Sequence, residues 1–262
     1  MHKLYFLSGL PRTGTTLLSS ILNQNPNVHT TSTSGLLDFL AGVDYVYSEV
    51  NQRYKEINDD QLKNIFKSIA SSYYTHLNAP IVIDKWRGWI DNISQIKEII
   101  TPTPKIICTY RPIEEIITSF LFLLEKDENN FIDKELQNKG ISITNENRSR
   151  YLWKEGVVGE SYEMFKNSID KENILYISYD QLVNYTSKTL KKIYNFLGGE
   201  EYDHKFEQIS NHTNDNDDYW KIKNLHTIRS TIELQYKNPE NYLTSKSIQY
   251  YKQFNSIFEY VK

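Results

Sequence analysis

The stretch from Gly9 to Thr16 constrains this chain more than any other part of it. An apolar run from Lys3 to Leu7 breaks at Ser8-Gly9, Gly14 follows five residues after Gly9, and from Thr15 the run Thr-Thr-Leu-Leu-Ser-Ser-Ile-Leu keeps helical spacing to Asn25-Pro26. Strand, glycine-bearing turn and helix in that order turn successive backbone N–H groups inward at a helix N-terminus, which carries partial positive charge. Such a turn predicts a bound anion. The glycine spacing is that of a phosphate-binding loop, and Thr16 stands where a nucleotide triphosphatase places a hydroxyl on Mg²⁺. Position 15 is Thr instead of Lys, so the cation that would neutralise β- and γ-phosphates is missing, and the nearest one is Arg12. The loop suits an anionic group that carries less charge than a triphosphate and needs no metal.

The same alternation recurs along the chain. Ile81 to Ile83 reads as a strand and Ile90 to Ile100 as a helix; Lys105 to Thr109 is a strand, and Ile113 to Glu125 a helix after Pro112. Ile174 to Ile177 is a fourth strand, and Asp180 to Leu197 a helix stopped by Gly198-Gly199. The expected fold class is α/β, a central parallel sheet with helices on both faces, built as one domain over residues 1–262. Residues 127–150 are polar and read as a mobile loop or lid, and residues 200 to 218, with seven acidic side chains against one Lys, as a solvated loop. Ile248, Tyr251, Phe254, Ile257, Phe258 and Val261 form a helical stripe for core packing.

Charge and cysteine content exclude several roles. Thirty Lys and Arg against thirty-three Asp and Glu give a net charge of −3, so nothing global draws the chain to nucleic acid or an anionic membrane. Cys108 is the only cysteine, which excludes an intrachain disulfide and a thiolate metal cluster. No run approaches the roughly 20 apolar residues of a membrane helix, and no signal peptide is read, so the expected location is cytoplasmic. Twenty tyrosines among the aromatics reflect a compositional bias toward Tyr, Asn, Ile and Lys.

The segment Leu10-Pro11-Arg12-Thr13-Gly14-Thr15-Thr16-Leu17-Leu18 resembles the phosphosulfate-binding loop of sulfotransferases that use 3′-phosphoadenosine 5′-phosphosulfate (PAPS) and release 3′,5′-adenosine bisphosphate (PAP). The resemblance implies a P-loop-like fold and cofactor contacts from Arg12, Thr13, Gly14, Thr15 and Thr16. A second signature of these families, an Arg at a strand end and a Ser eight residues later, matches Arg111 and Ser119 and implies that both meet the 3′-phosphate. The run from Tyr176 to Val183, leading to Ile193 to Gly198, is similar to the family's strand and long helix, which implies Tyr179 near the nucleotide, and Arg229-Ser230-Thr231 is similar to a segment that tyrosylprotein sulfotransferases use beside it. Lys85, after Ile81-Val82-Ile83 in Asp84-Lys85, matches the Lys that those enzymes set on the leaving oxygen. With His226, which precedes Arg229-Ser230 and is taken from its position and not from the resemblance, the candidate catalytic set is Arg12, Lys85, Ser230 and His226.

No general base follows from the resemblance. Where tyrosylprotein enzymes carry a Glu, this chain has Thr30-Thr31-Ser32-Thr33-Ser34-Gly35, with Asp38 the nearest carboxylate, leaving His226 and His29 as candidates. The acceptor is open among a small-molecule, glycan or peptide hydroxyl, or an amine. Trp86, Trp89, Trp153 and Tyr151 either line an aromatic pocket for it or belong to the core. Two other readings stand beside this one: a phosphotransferase using ATP and Mg²⁺, with Asp84 as metal ligand, and a nucleotide-binding module without chemistry. In the bland reading Asp84 is a solvated cap or a partner for Lys85, and Lys85 a surface side chain.

Overall fold

The computed structural model of the chain describes residues 2–54, 57–169 and 171–261. Five parallel strands form one sheet in the order β2-β3-β1-β4-β5: β1 Lys3–Gly9, β2 Val28–Thr33, β3 Ile81–Lys85, β4 Ile106–Tyr110 and β5 Ile174–Ser178. Strand alternation divides the core in two. Phe6, Val82, Ile106 and Cys108 face one side, and Leu7, Ile83 and Ile107 the other, so every central strand is apolar on both faces. Helix α1 (Thr15–Leu22), α9 (Tyr179–Asn184) and α10 (Thr186–Leu197) cover the second face. The first is covered by α2 (Leu36–Tyr54), α3 (Asp59–Tyr73), α4 (Ile93–Ile99), α5 (Ile113–Leu124), α6 (Phe131–Asn138), α7 (Asn145–Lys154) and α8 (Val157–Ser168). α11 (Asp217–Trp220) is short; α12 (Ser245–Lys252) and a 3₁₀ stretch over Gln253–Val261 close the chain, with Ile248, Tyr251, Ile257 and Phe258 buried as the stripe requires.

Several elements differ from their expected form. Val28–Thr33 is an edge strand that the strand–helix reading leaves out: its Thr-rich sequence is β-branched but barely apolar, so hydropathy gives no signal. α2 and α3 form a helical pair that the strand–helix alternation does not announce, α3 opening on an Asn58–Gln61 capping box. The helix expected over Ile90 to Ile100 is a 3₁₀ turn, Arg87–Ile90, followed by α4, and the one expected over Asp180 to Leu197 breaks at Tyr185. The polar segment 127–150 is not a loop throughout; it contains α6 and the start of α7, and Asp127, Asn130 and Asp133 are buried, Arg148 binding Asp133.

All five strands end at the same edge of the sheet. Because β1 has β3 on one side and β4 on the other, a crevice opens beyond their carboxyl ends, where Gly9, Lys85 and Tyr110 terminate. Gly9 lies directly against β4: a Cβ there would stand 2.3 Å from Thr109 Oγ1 and 2.6 Å from Thr109 O, at φ +153°. Gly9→Ala is expected to cost about 2 kcal/mol or more in chemical denaturation, through overpacking and strain. A loss under about 0.5 kcal/mol would show that the two strands part easily.

Candidate active site

The turn after β1 is organised by Thr109. Leu10 N donates to Thr109 O at 2.9 Å, Thr13 Oγ1 lies 2.6 Å from Thr109 Oγ1, and the same hydroxyl donates to Leu10 O at 2.6 Å. Thr13 is thereby buried inside the turn, while Arg12, at φ 61°, and Gly14, at φ 85°, take the left-handed backbone that rotates the following amides outward. The N–H groups of Thr15, Thr16 and Leu17 open α1, whose first turn supplies no carbonyl for them. They face a cavity of about 480 Å³ lined by Gly14, Thr15 and Thr16 and also by Arg12, Lys85, Arg111, Ser119, Tyr179, His226 and Arg229.

Two of the guanidiniums in this cavity, those of Arg12 and Arg111, stand close enough to influence each other. Arg12 Nε donates to Ser119 Oγ at 3.2 Å and its Nη1 to Leu225 O; burial, and then the neighbouring charge of Arg111, lower it to about 10. Arg111 donates from Nε to Glu115 Oε2 at 2.8 Å and from Nη2 to Gln235 O at 2.9 Å, and lies 4.4 Å from the Tyr179 ring centroid. Ser119 thus pairs with Arg12, not with Arg111. Tyr179 reaches the site because Ser178 ends β5 and caps α9 at once: Ser178 Oγ accepts from Gln181 N at 3.0 Å. Arg229, exposed and paired with Glu233, stands at the rim; Ser230 is exposed and absent from the lining, which Thr231 joins instead. Of the Arg-Ser-Thr match, Arg229 and Thr231 line the cavity, and the Ser230 carbonyl accepts from Ile209 N at 2.7 Å.

Lys85 is buried, not a surface side chain, and its partner is Asp215. Nζ lies 2.7 Å from Asp215 Oδ2, with 7% and 1% of the two side chains exposed. Thr33 N donates to Asp215 Oδ1 at 2.8 Å and Asn214 N to Ser32 Oγ at 2.6 Å, so the end of β2 holds the segment in place. Burial works against the Asp215 carboxylate, but Lys85 and Thr33 outweigh it and hold its carboxyl at about 2, while burial lowers the Lys85 ammonium below its ordinary value. Two residues on, Asp217 Oδ1 lies 2.6 Å from His226 Nδ1 and Oδ2 accepts from His226 N at 3.3 Å. With Nδ1 on the carboxylate, the tautomer assigned by this pairing leaves Nε2 as the free nitrogen. The segment 200–218, expected to be solvated, therefore supplies two carboxylates of the site. Nothing in its composition marks them.

Asp84 is fully buried and accepts from Tyr74 Oη at 2.6 Å, Ser34 Oγ at 2.9 Å and Trp89 Nε1 at 2.9 Å. It is neither a solvated cap nor the partner of Lys85, and three donors occupy the carboxylate that an ATP-and-Mg²⁺ reading needs. Of the four aromatics, Trp86 and Tyr151 line the cavity, whereas Trp89 serves Asp84 and Trp153 packs on Tyr162, Tyr251 and Phe254. His29 lies on β2, its pKa lowered by burial, and does not line the cavity. Among the described residues, no group of three His, Cys, Asp or Glu is placed to hold a metal ion, and no helix is long and apolar enough to cross a membrane.

A family model described as "Sulfotransferase family" matches residues 5–204. The chain belongs to the sulfotransferase family. Solved structures agree in fold: a mouse sulfotransferase, SULT7A1, complexed with PAP (16% identity, TM-score 0.54, covering 100% of this chain and 84% of that one) and the sulfotransferase domain of the Synechococcus PCC 7002 olefin synthase (17%, 0.54, 98% and 95%). The sulfotransferase domain from the curacin biosynthetic pathway is similar too (16%, 0.53, 99% and 98%). No curated protein matches the sequence. The five-stranded parallel sheet flanked by helices is the architecture of these sulfotransferases, and family membership makes sulfuryl transfer the reaction class.

Burial raises the Asp84 carboxyl to about 6 in spite of its three donors. A folded-state pKa above the unfolded value means that the native state holds the extra proton, so Asp84 lowers stability as pH rises from about 4 to about 6. Urea titrations across that window are expected to show wild type losing on the order of 3 kcal/mol relative to Asp84→Asn. Parallel curves would place the proton elsewhere.

Proposed function

We propose that this sulfotransferase moves a sulfuryl group from PAPS to a hydroxyl or amine acceptor and releases PAP. One observation carries the reading: a single cavity joins unpaired helix-start amides and two guanidiniums to a buried Lys and a carboxylate-bound His. The residues fit the nucleotide's chemistry. Thr15 and Thr16 amides with Arg12 suit the 5′-phosphosulfate, Arg111 and Ser119 the 3′-phosphate, and the Tyr179 ring and Arg229 the rest. When bound, PAPS supplies a sulfuryl group on a phosphate leaving group. Arg12 and the loop amides would stabilise equatorial oxygens, and Lys85 Nζ would meet the charge that builds on the bridging oxygen. Asp215 keeps Lys85 ionised and aimed despite its burial. His226 Nε2 would take the acceptor's proton, with Asp217 stabilising the imidazolium through Nδ1. The complex of mouse SULT7A1 with PAP supports the choice of donor, and buried Cys108 fits a reducing, cytoplasmic setting. Residues 127–150, whose Phe131 and Ile132 line the cavity, would close over acceptor and donor.

PAP is expected to raise the melting temperature, with ATP and Mg²⁺ having little effect; the reverse result would favour the phosphotransferase. In calorimetry, Arg111→Ala is expected to weaken PAP at least about tenfold more than adenosine 5′-phosphosulfate, which lacks the 3′-phosphate. Equal losses would remove Arg111 from that role.

His226→Ala and Asp217→Asn are each expected to lower kcat about 100-fold while KM for the donor moves less than about threefold, since a base acts only in the transition state. Unchanged kcat in His226→Ala would eliminate it as base.

A further inference from the structure

Two cations of the cavity wall have no task in this reaction: Lys237, which lies over the Phe122 ring, and Arg87. Arg87 opens the 3₁₀ turn that follows Trp86, and its side chain lines the cavity beyond Lys85. Its backbone is fixed: Ser8 Oγ donates to Arg87 O at 2.5 Å and Trp86 N to Leu7 O at 3.0 Å, while Trp89 on the same turn is tied to Asp84. The guanidinium itself makes no hydrogen bond or ion pair among the described residues. The charges that reach it are Lys85, of like sign, and Glu160 on α8, which stands outside ion-pair distance. α8 packs on this turn, so the surroundings are the apolar end of the cavity, with Trp86, Tyr151, Leu152 and Val157 in its wall.

A guanidinium half-buried against apolar walls costs free energy unless an anion meets it. Its planar fork matches a carboxylate through two parallel N–H···O bonds. Arg12 and Arg111 already stand at the loop end of the cavity, where a nucleotide's phosphates would lie. We propose that Arg87 recognises the carboxylate of an apolar acceptor, an aromatic or branched alcohol whose hydroxyl is directed toward Lys85 and His226. The inference rests on the sulfuryl-transfer reading for the role of that molecule, but the preference for a carboxylate is measurable without turnover.

The test compares 4-hydroxyphenylacetate with 4-ethylphenol, probes of similar apolar bulk that differ in the carboxylate, binding to the full chain with and without PAP. Wild type is expected to favour the carboxylate at least about tenfold, as a charge-assisted pair requires, and Arg87→Met to lose that preference. Arg87→Lys, which keeps the charge and loses the fork, is expected to retain a smaller preference, and it serves should the Met variant not fold. Equal affinity of wild type for the two probes, binding of neither, or a full preference in Arg87→Met overturns the proposal. So does a loss confined to PAPS over PAP with the carboxylate preference intact, which would assign Arg87 to the donor's sulfuryl group. Failure of PAP to bind would strike the sulfuryl-transfer reading instead and leave the comparison of probes standing.

Discussion

The close approach of Gly9 to Thr109 sets the rest of the site. With no side chain at Gly9, β1 lies against β4 tightly enough for Thr109 to bind both Leu10 N and the Thr13 hydroxyl. That contact folds the turn back on itself and leaves the amides at the start of α1 facing the crevice. The left-handed backbone at Arg12 and Gly14 belongs to the same turn, and a non-glycine residue in that conformation is held there by its surroundings. Anion binding is thus a property of backbone shape as well as of side-chain charge.

Around this cradle, buried charge is arranged at some cost to stability. Asp84 and Asp215 lie on either side of Lys85's chemistry and titrate in opposite directions. Three neutral donors leave Asp84 dominated by burial, at about 6, whereas a neighbouring ammonium holds Asp215 at about 2. A buried ion pair such as Lys85–Asp215 contributes little net stability compared with apolar packing. The same short segment sends Asp217 to His226, so one irregular stretch holds two cavity-lining side chains that are 141 positions apart in number. Its own position depends on β2, through Thr33 N and Ser32 Oγ.

Local signals account for much of what was legible. Gly9, Gly14 and the helical run after them announced the turn, and the apolar strands β1, β3, β4 and β5 announced a parallel sheet. Arg111 and Lys85 were visible because each ends such a strand. β2 was not, since Val28–Thr33 carries Thr, Ser and His where buried strands carry Ile and Val. Ser230 shows the opposite failure: a three-residue match placed it in the site, but its exposed side chain lies outside the cavity lining.

The amino-acid order by itself determined the strand–turn–helix units, the anion-binding loop without its lysine and the family to which the chain belongs, because each depends on neighbours within a few residues. Only the tertiary structure decided which polar groups meet: Asp215 with Lys85, Asp217 with His226, Ser119 with Arg12, and Arg87 with none among the described residues. Those pairings depend on where the sheet brings together residues up to 130 positions apart, and on how far each is removed from water. Neither quantity is written in local spacing.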